Sequence, residues 1–490
     1  MSGSDATKDD SPKQSGRGKK WVKGILIGVV SFVVLVIVLV VGALLYFQIP
    51  SNTAGVAAQS VCAGTFVAGR DSQEVFDDDV KPQNPALGLV SLSVDESGRS
   101  VSAKFLGMFE RRASLLPNRG CVLNEEPDPA ATPFTPTPPN PAAWPEGNSA
   151  VPAADWPAGV DAAALTDVVE KAFVGAGDAT AANARGVAVV YDGQLLVQEE
   201  APGFDDTPLL GFSMTKTVNA MLFYKRAMET GFDINQLVVD AFPADREPTW
   251  VAQWRQDGRK DITVADLLFM RSGLDGEDDY GPTAKVVQML YGEPSMAGYA
   301  ASMPLIHEPG TVWAYSTGTS DILSQIAQGM FTTDEEYWAY PKQALFDPIG
   351  VQQGTMFTDT YGTWVGGSYL WALTRDWARL GQVMLADGKW GDQQVLPAGW
   401  WELAGTPAMP DGDGRGYGAQ TWIPGSPVGG VCNTYPGVPQ DTLWMGGHYG
   451  QVVAMIPSQK AVVVRLGWTI DSEQFDDCQF MSDTLATLPK

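Results

Sequence analysis

Residues 211–220 read GFSMTKTVNA and continue into the apolar run AMLFYKRAM. A serine and a lysine stand one helical turn apart, at the point where a buried helix begins. If that helix starts near Ser213, positions i and i+3 share a face and the Lys216 amine reaches the Ser213 hydroxyl. A serine hydroxyl is a poor nucleophile until something takes its proton. An ordinary lysine, with a pKa of about 10.4, is neutral in only about one molecule in 2,500 at pH 7. Burial and the partial positive charge of a helix N-terminus would have to lower that value by about three units, roughly 4 kcal/mol. The same helix start leaves the backbone N–H of Ser213 free, one half of an oxyanion hole. Alone, Ser-x-x-Lys carries little, because two fixed letters recur by chance in a chain this long. The plain alternative is an N-capping serine with a solvated lysine.

At 490 residues the chain is long enough for one large domain with appendages, or for two domains. A hydrophobic share of 44% against 18% charged is that of a globular protein with an ample core. The formal net charge of −25 argues against a nucleic-acid partner and against close adhesion to anionic headgroups.

Ile25 to Phe47 (ILIGVVSFVVLVIVLVVGALLYF) carries no charge. As a helix it would be about 35 Å long, enough for a hydrocarbon core of roughly 30 Å. Lys19, Lys20 and Lys23 flank only its N-terminal side, so residues 1–24 read as a cytoplasmic tail and 25–47 as a single-pass signal anchor. Everything after Pro50 is then exported. The rival is a cleaved signal peptide, whose apolar region is normally about 7–15 residues, and ALLYFQIP makes a poor cleavage site.

Four cysteines in an exported chain read as disulfides and allow three pairings. Pairing Cys62 with Cys121 and Cys432 with Cys478 keeps each bridge inside one folded region; buried free thiols are the alternative. With no Cys-x-x-Cys or Cys/His ligand spacing, and His307 and His448 the sole histidines, no metal site is expected. The acidic run DGEDDY (275–280) lacks an EF-hand register and reads as solvent-facing.

Residues 51–125 contain short β-like runs (GTFVAG, LGLVSLSVD, SVSAKFLG) between Cys62 and Cys121, as in a small stapled β-rich unit. Residues 126–159, dense in Pro and Ala, read as a linker or a surface belt. From 160 to 490 the pattern is that of a larger domain. ARGVAVVYDGQLLVQEE is a hairpin about Asp192-Gly193, and GQVVAMIP with KAVVVRLGW a second about Ser458-Gln459. Residues 213 to about 350 are mostly helical in pattern, and MSDTLATL is a final helix. Strands at both ends with helices between predict an α+β fold, an antiparallel sheet flanked by helices with a helical region inserted.

Two further stretches join Ser213. HEPGTVWAYSTGTSDILSQI sets Tyr315-Ser316-Thr317 before a helix, and DTLWMGGHYGQVVAMIP sets His448-Tyr449-Gly450 at the start of a strand. Ser-x-x-Lys, then Tyr-x-polar, then (Lys/His)-x-Gly, in that order, resembles the β-lactamase and penicillin-binding-protein superfamily. The likeness is to its class C-like branch, with D-aminopeptidases, family VIII-type esterases and nylon-oligomer (6-aminohexanoate-dimer) hydrolases. ITVADLLFMRSGL (262–274), VGGSYLWALTRDWARLGQVML (365–385) and GDQQVLPAGWWE (391–402) are also similar to that family, and the resemblance covers about 160–490.

The resemblance implies an acyl-enzyme on Ser213, Lys216 as its proton acceptor and Tyr315 as the shuttle to the leaving group. It implies an oxyanion hole from the N–H groups of Ser213 and Gln451, with Gly450, His448 and Thr317 at the substrate. A phenol with a pKa near 10 needs neighbouring cations for such a shuttle, and Lys216 is the evident one. Gly450 would let a substrate backbone lie against the strand edge. Two departures stand out. His-Tyr-Gly replaces Lys-Thr-Gly, and Tyr-Ser-Thr replaces Tyr-x-Asn, so the ammonium that attracts a penicillin carboxylate is missing. His448 is then either a hydrogen-bond donor to substrate or Tyr315, or a structural residue. Trp364, Tyr369 and Trp371 are candidate cleft aromatics, with core packing the alternative, as for Trp400 and Trp401. A Ser-His-Asp triad lacks its Gly-x-Ser-x-Gly elbow, and His307 reads as structural. The expectation is a serine hydrolase of a small-molecule or peptide-like amide or ester, without metal or organic cofactor. An esterase or D-peptidase of the same fold is an alternative. So is a catalytically idle module that holds cell-wall peptide or a protein partner.

Overall fold

The computed structural model describes residues 17–133, 140–178, 181–276, 278–409, 416–423, 432 and 435–490. Residues 1–16 of the expected tail, 134–139 of the expected linker and Glu277 of the acidic run lie outside them. The chain divides into two units, Met1–Pro50 and Ser51–Lys490. Among its described residues the first holds the helix Arg17–Tyr46, whose described apolar side chains, among them Ile25, Leu26, Phe32 and Leu39, are exposed. Among the described residues no helix is long and apolar enough to cross a membrane; several side chains within 25–47 are not among those described.

The second unit is built on a five-stranded antiparallel sheet. One hairpin forms one side of it. Ala184–Tyr191 and Gln194–Glu200 turn at Asp192 (φ +46°) and Gly193 (φ +76°), the positive dihedrals a two-residue hairpin loop requires. Near the C-terminus Gln451–Ile456 pairs with Ala461–Gly467, and Ala461–Gly467 pairs in turn with Ala184–Tyr191. Strands from both ends of residues 184–467 thus close one sheet, and Leu443–Gly447 adds the edge strand beyond Gln451–Ile456. Alternate residues serve two cores. Val187, Val189, Ala454 and Val463 pack with Leu165, Val169, Met481 and Leu485 from the helices Ala162–Ala172 and Asp477–Ala486. Ala188, Val190, Val453, Met455 and Val464 face Trp377, Leu380 and Met384 of the helix Thr374–Leu385. Between the two ends lie the helices Met214–Thr230, Lys285–Gly292, Met296–Ser302 and Thr317–Gly329. This is the α+β arrangement the sequence predicts.

The N-terminal part of this unit departs from expectation. GTFVAG is helical: the helix Ile49–Cys62 runs on through a wide turn at Ala63–Val67. Small residues (Ala54, Ala57, Ala58) let that helix pack closely, and Val61 and Phe66 are buried along it, which overrides the local strand pattern. The remaining runs form a four-stranded meander, Val90–Asp95, Ser100–Phe105, Glu110–Leu116 and Gly120–Leu123. Both expected disulfides are present, Cys62–Cys121 and Cys432–Cys478. The meander and its helix share one hydrophobic core with the region after residue 160 instead of folding apart. Arg119 bonds across to Thr358 Oγ1 (2.9 Å) and the Asp359 carbonyl (2.9 Å). The described part of the Pro/Ala-rich segment is a belt: Arg379 donates to the carbonyls of Pro145 (2.9 Å) and Gly147 (2.6 Å), and Trp144 is buried beside Trp390.

Candidate active site

Ser213 sits at the entry to the helix Met214–Thr230, on a backbone already turned. The preceding residue, Phe212, holds φ at +47°, a region bulky residues avoid. The first turn bonds Met214 N to Gly211 O, Thr215 N to Phe212 O and Lys216 N to Ser213 O, and among the described residues no backbone acceptor takes the N–H of Ser213 itself. The Ser213 side chain makes no capping bond. Its oxygen instead accepts from Lys216 Nζ at 2.9 Å. The dull alternative of a cap and a solvated charge does not describe this pair, since Lys216 is 1% exposed.

Lys216 is held from three sides. Besides Ser213 it donates to Thr317 Oγ1 (2.8 Å) and to the Gly367 carbonyl (2.8 Å), filling its three donor positions. The Tyr315 ring lies 4.7 Å from Nζ, and the Asp278 carboxylate 4.0 Å away. Asp278 accepts the Thr317 hydroxyl (2.8 Å) and its N–H (3.3 Å). A hydrogen-bonded line therefore runs from Ser213 through Lys216 and Thr317 to a carboxylate. Thr317, expected at the substrate, is fully buried and its hydroxyl is committed within this line. Asp278, expected to face solvent with the rest of its acidic run, turns inward, whereas Asp279 is exposed.

Burial pushes the Tyr315 phenol above its ordinary value, against the pull of Lys216 and of its hydrogen bonds with Ser213 and Lys216. It rests as a neutral phenol between both groups. Its ring stacks on Trp422 (5.4 Å) and meets Tyr417 edge-on (5.7 Å). Beneath Gly367, Asp321 accepts that residue's N–H (3.1 Å) while its second oxygen has no partner among the described residues. Burial raises this carboxyl well above its usual range.

His448, Tyr449 and Gly450 form the tight turn between Leu443–Gly447 and Gln451–Ile456, not the first residues of a strand as expected, because Leu443–Gly447 is itself paired. His448 stacks on Tyr280 (4.5 Å) and lies against Tyr449 (3.9 Å) and Phe212 (5.6 Å). This aromatic packing takes its pKa down to about 4, so the imidazole is neutral near pH 7. Gly450 also has a reason within the fold itself. Its φ is +78°, and a Cβ there would collide with the Arg465 guanidinium, which donates to the Gly450 carbonyl (2.7 Å). Gln451 opens the strand with its side chain turned inward, bonding Gly467 O (2.6 Å) and His448 O (3.0 Å). Its backbone pairs with Gly447 at the head of the hairpin.

Trp364 and Tyr369 do not line the cleft. Trp364 stacks 3.7 Å from Tyr337 and Tyr369 packs beside Phe357, both buried. Trp371 and Trp400 are core as well, and His307 is exposed. The partly exposed rings near Ser213 are Tyr280 and Tyr449 in one cluster and Trp313, Tyr315 and Trp422 in another.

Residues 166–469 match the model of the Beta-lactamase family. The chain belongs to that family. Two solved structures share the fold of this beta-lactamase domain. One, named as a 6-aminohexanoate-dimer hydrolase from Bacillus anthracis, is 19% identical, with a TM-score of 0.52 over 66% of this chain and 83% of its own. The other, named as a beta-lactamase from Bacteroides dorei, is 14% identical, with a TM-score of 0.52 over 67% of this chain and 99% of its own. No curated protein matches the sequence. In this beta-lactamase domain the matched span begins after the belt, so residues 51–159 are an addition to it.

Proposed function

We propose that this chain is a serine hydrolase that cleaves an amide or ester through an acyl-enzyme on Ser213. The reading is carried by one observation: a buried lysine Nζ 2.9 Å from a serine oxygen, with a neutral phenol against both. Lys216, in its amine form, takes the Ser213 proton as the oxygen attacks the carbonyl carbon. The N–H groups of Ser213 and Gln451 receive the oxyanion. Tyr315 gives its proton to the departing amine or alcohol, and Lys216 passes the proton taken from Ser213 to the phenolate, so both groups regain their starting forms. Water then attacks the ester by the reverse relay and frees the acid. The neutral His448 offers no ammonium to a carboxylate beside the scissile bond. Uncharged esters and amides therefore fit better than β-lactams, whose carboxylate would find only neutral rings there.

The enzyme works outside the cytoplasm in this reading, held by the charge-free run Ile25–Phe47 with Lys19, Lys20 and Lys23 on the inner side. Two disulfides suit an oxidising compartment. A fluorophosphonate probe tests the chemistry. The wild-type chain should be labelled, Ser213→Ala should not, and Lys216→Ala should react about 10²–10⁴-fold more slowly. Folded wild-type protein that resists the probe would instead indicate an idle binding module.

A further inference from the structure

The two turns proposed to carry the oxyanion hole share an unusual feature. Phe212, just before Ser213, and Tyr449, two residues before Gln451, both hold positive φ, at +47° and +61°. Neither residue adopts that region without support, and such strain persists only where the surroundings over-determine it. Both rings lean on the same indole. Trp468 lies 5.4 Å from Phe212 and 5.2 Å from Tyr449, centroid to centroid. The indole is itself fixed from outside the family domain. Its N–H donates to the Asp79 carbonyl at 3.1 Å. The Asp79 carboxylate is buried and paired with both Arg70 and Arg185. The Arg185 guanidinium in turn covers the Trp468 face at 4.9 Å and Phe204 at 4.6 Å.

We propose that the N-terminal segment, through Asp79 and Trp468, positions both halves of the oxyanion hole. Trp468 does not reach the reacting atoms; it acts through Phe212 and Tyr449, and is a positioning residue. Residues 70–79 precede the matched domain, so this chain completes its site with a part the domain itself does not supply. The inference rests on the serine-hydrolase reading above.

Asp79→Asn would leave the buried Arg185 without its charge partner and is liable to unfold, so Trp468→Phe carries the test. It keeps a ring at that place and removes the N–H. In the full chain, the fluorophosphonate labelling rate should fall about tenfold or more, since displacing a donor costs part of the 10²–10³ that losing one costs. For a p-nitrophenyl ester, kcat should fall by a similar factor while KM stays within about twofold. The matched thionoester, whose sulfur draws little from N–H donors, should lose much less, so the ester-to-thionoester ratio drops. Unchanged labelling, or an equal loss on both substrates, would overturn the positioning role and leave Ser213 chemistry standing. An active Ser213→Ala would instead remove the hydrolase reading, and the inference with it.

Discussion

At the scale of single residues, the centre is defined by how Lys216 is held. Its three bonds are to Ser213, Thr317 and Gly367, all inside the protein. Thr317→Val keeps the volume and removes one acceptor, leaving a buried N–H unmatched at about 1–3 kcal/mol. We expect kcat/KM to fall about ten- to hundredfold, with Thr317→Ser restoring most of it, read by steady-state ester hydrolysis. His448 makes a different prediction. Its pKa is held at about 4 by burial, below the ordinary value of about 6.5, so the unfolded chain binds the proton more readily. Its contribution to stability is complete above about pH 6.5 and is lost as pH falls toward 4. The Tm of the wild type should drop over that window more than that of His448→Phe. Between pH 6 and 8 the shape of the pH–rate profile should be the same in both, because His448 does not titrate there.

At the scale of elements, the site is a meeting of one helix start, one loop and one hairpin turn. The turn is the most sensitive. Gly450→Ala places a Cβ against Arg465 at φ +78°, a strain of about 1–3 kcal/mol that urea unfolding should show. It should also lower kcat, since the Gln451 N–H follows directly. The spacing of Ser213 and Lys216 could be read from the sequence because i, i+3 proximity is a property of any helix. Both hairpins could be read too, from alternating apolar runs about a turn. Asp278 and Gly367 could not. They reach Lys216 across large sequence separations, and in the chain one is a member of an acidic run and the other a glycine in VGGS. The same holds for the aromatics: Trp364 and Tyr369 flank the glycines in sequence, yet Tyr337 and Phe357 draw them into the core. GTFVAG misleads for a related reason, since its strand-like letters continue a helix already committed by Ala54–Val61.

At the scale of the whole molecule, residues 51–159 decide whether the catalytic region can stand alone. The sequence suggests a stapled unit and a linker. The structure joins Ala54, Val61, Phe76 and Trp144 to the core that holds Met214, Trp377 and Val464. Removing that segment would uncover apolar side chains on the catalytic region. It would also strip Arg185 of Asp79, and breaking one buried pair from a single side costs about 3–5 kcal/mol. Against a total stability of about 5–15 kcal/mol, the two losses together are enough to unfold the remainder. The protein expressed from residue 51 should therefore melt cooperatively and take the fluorophosphonate label, whereas the piece from residue 160 should show neither, by circular dichroism and by gel. A cooperative, label-reactive 160–490 would mean that the shared core is a convenience of packing and that the family domain needs nothing from the segment ahead of it. An ordered but poorly labelled 160–490 would point to the contact between Asp79 and Trp468, because the fold would then survive while the geometry around Ser213 did not.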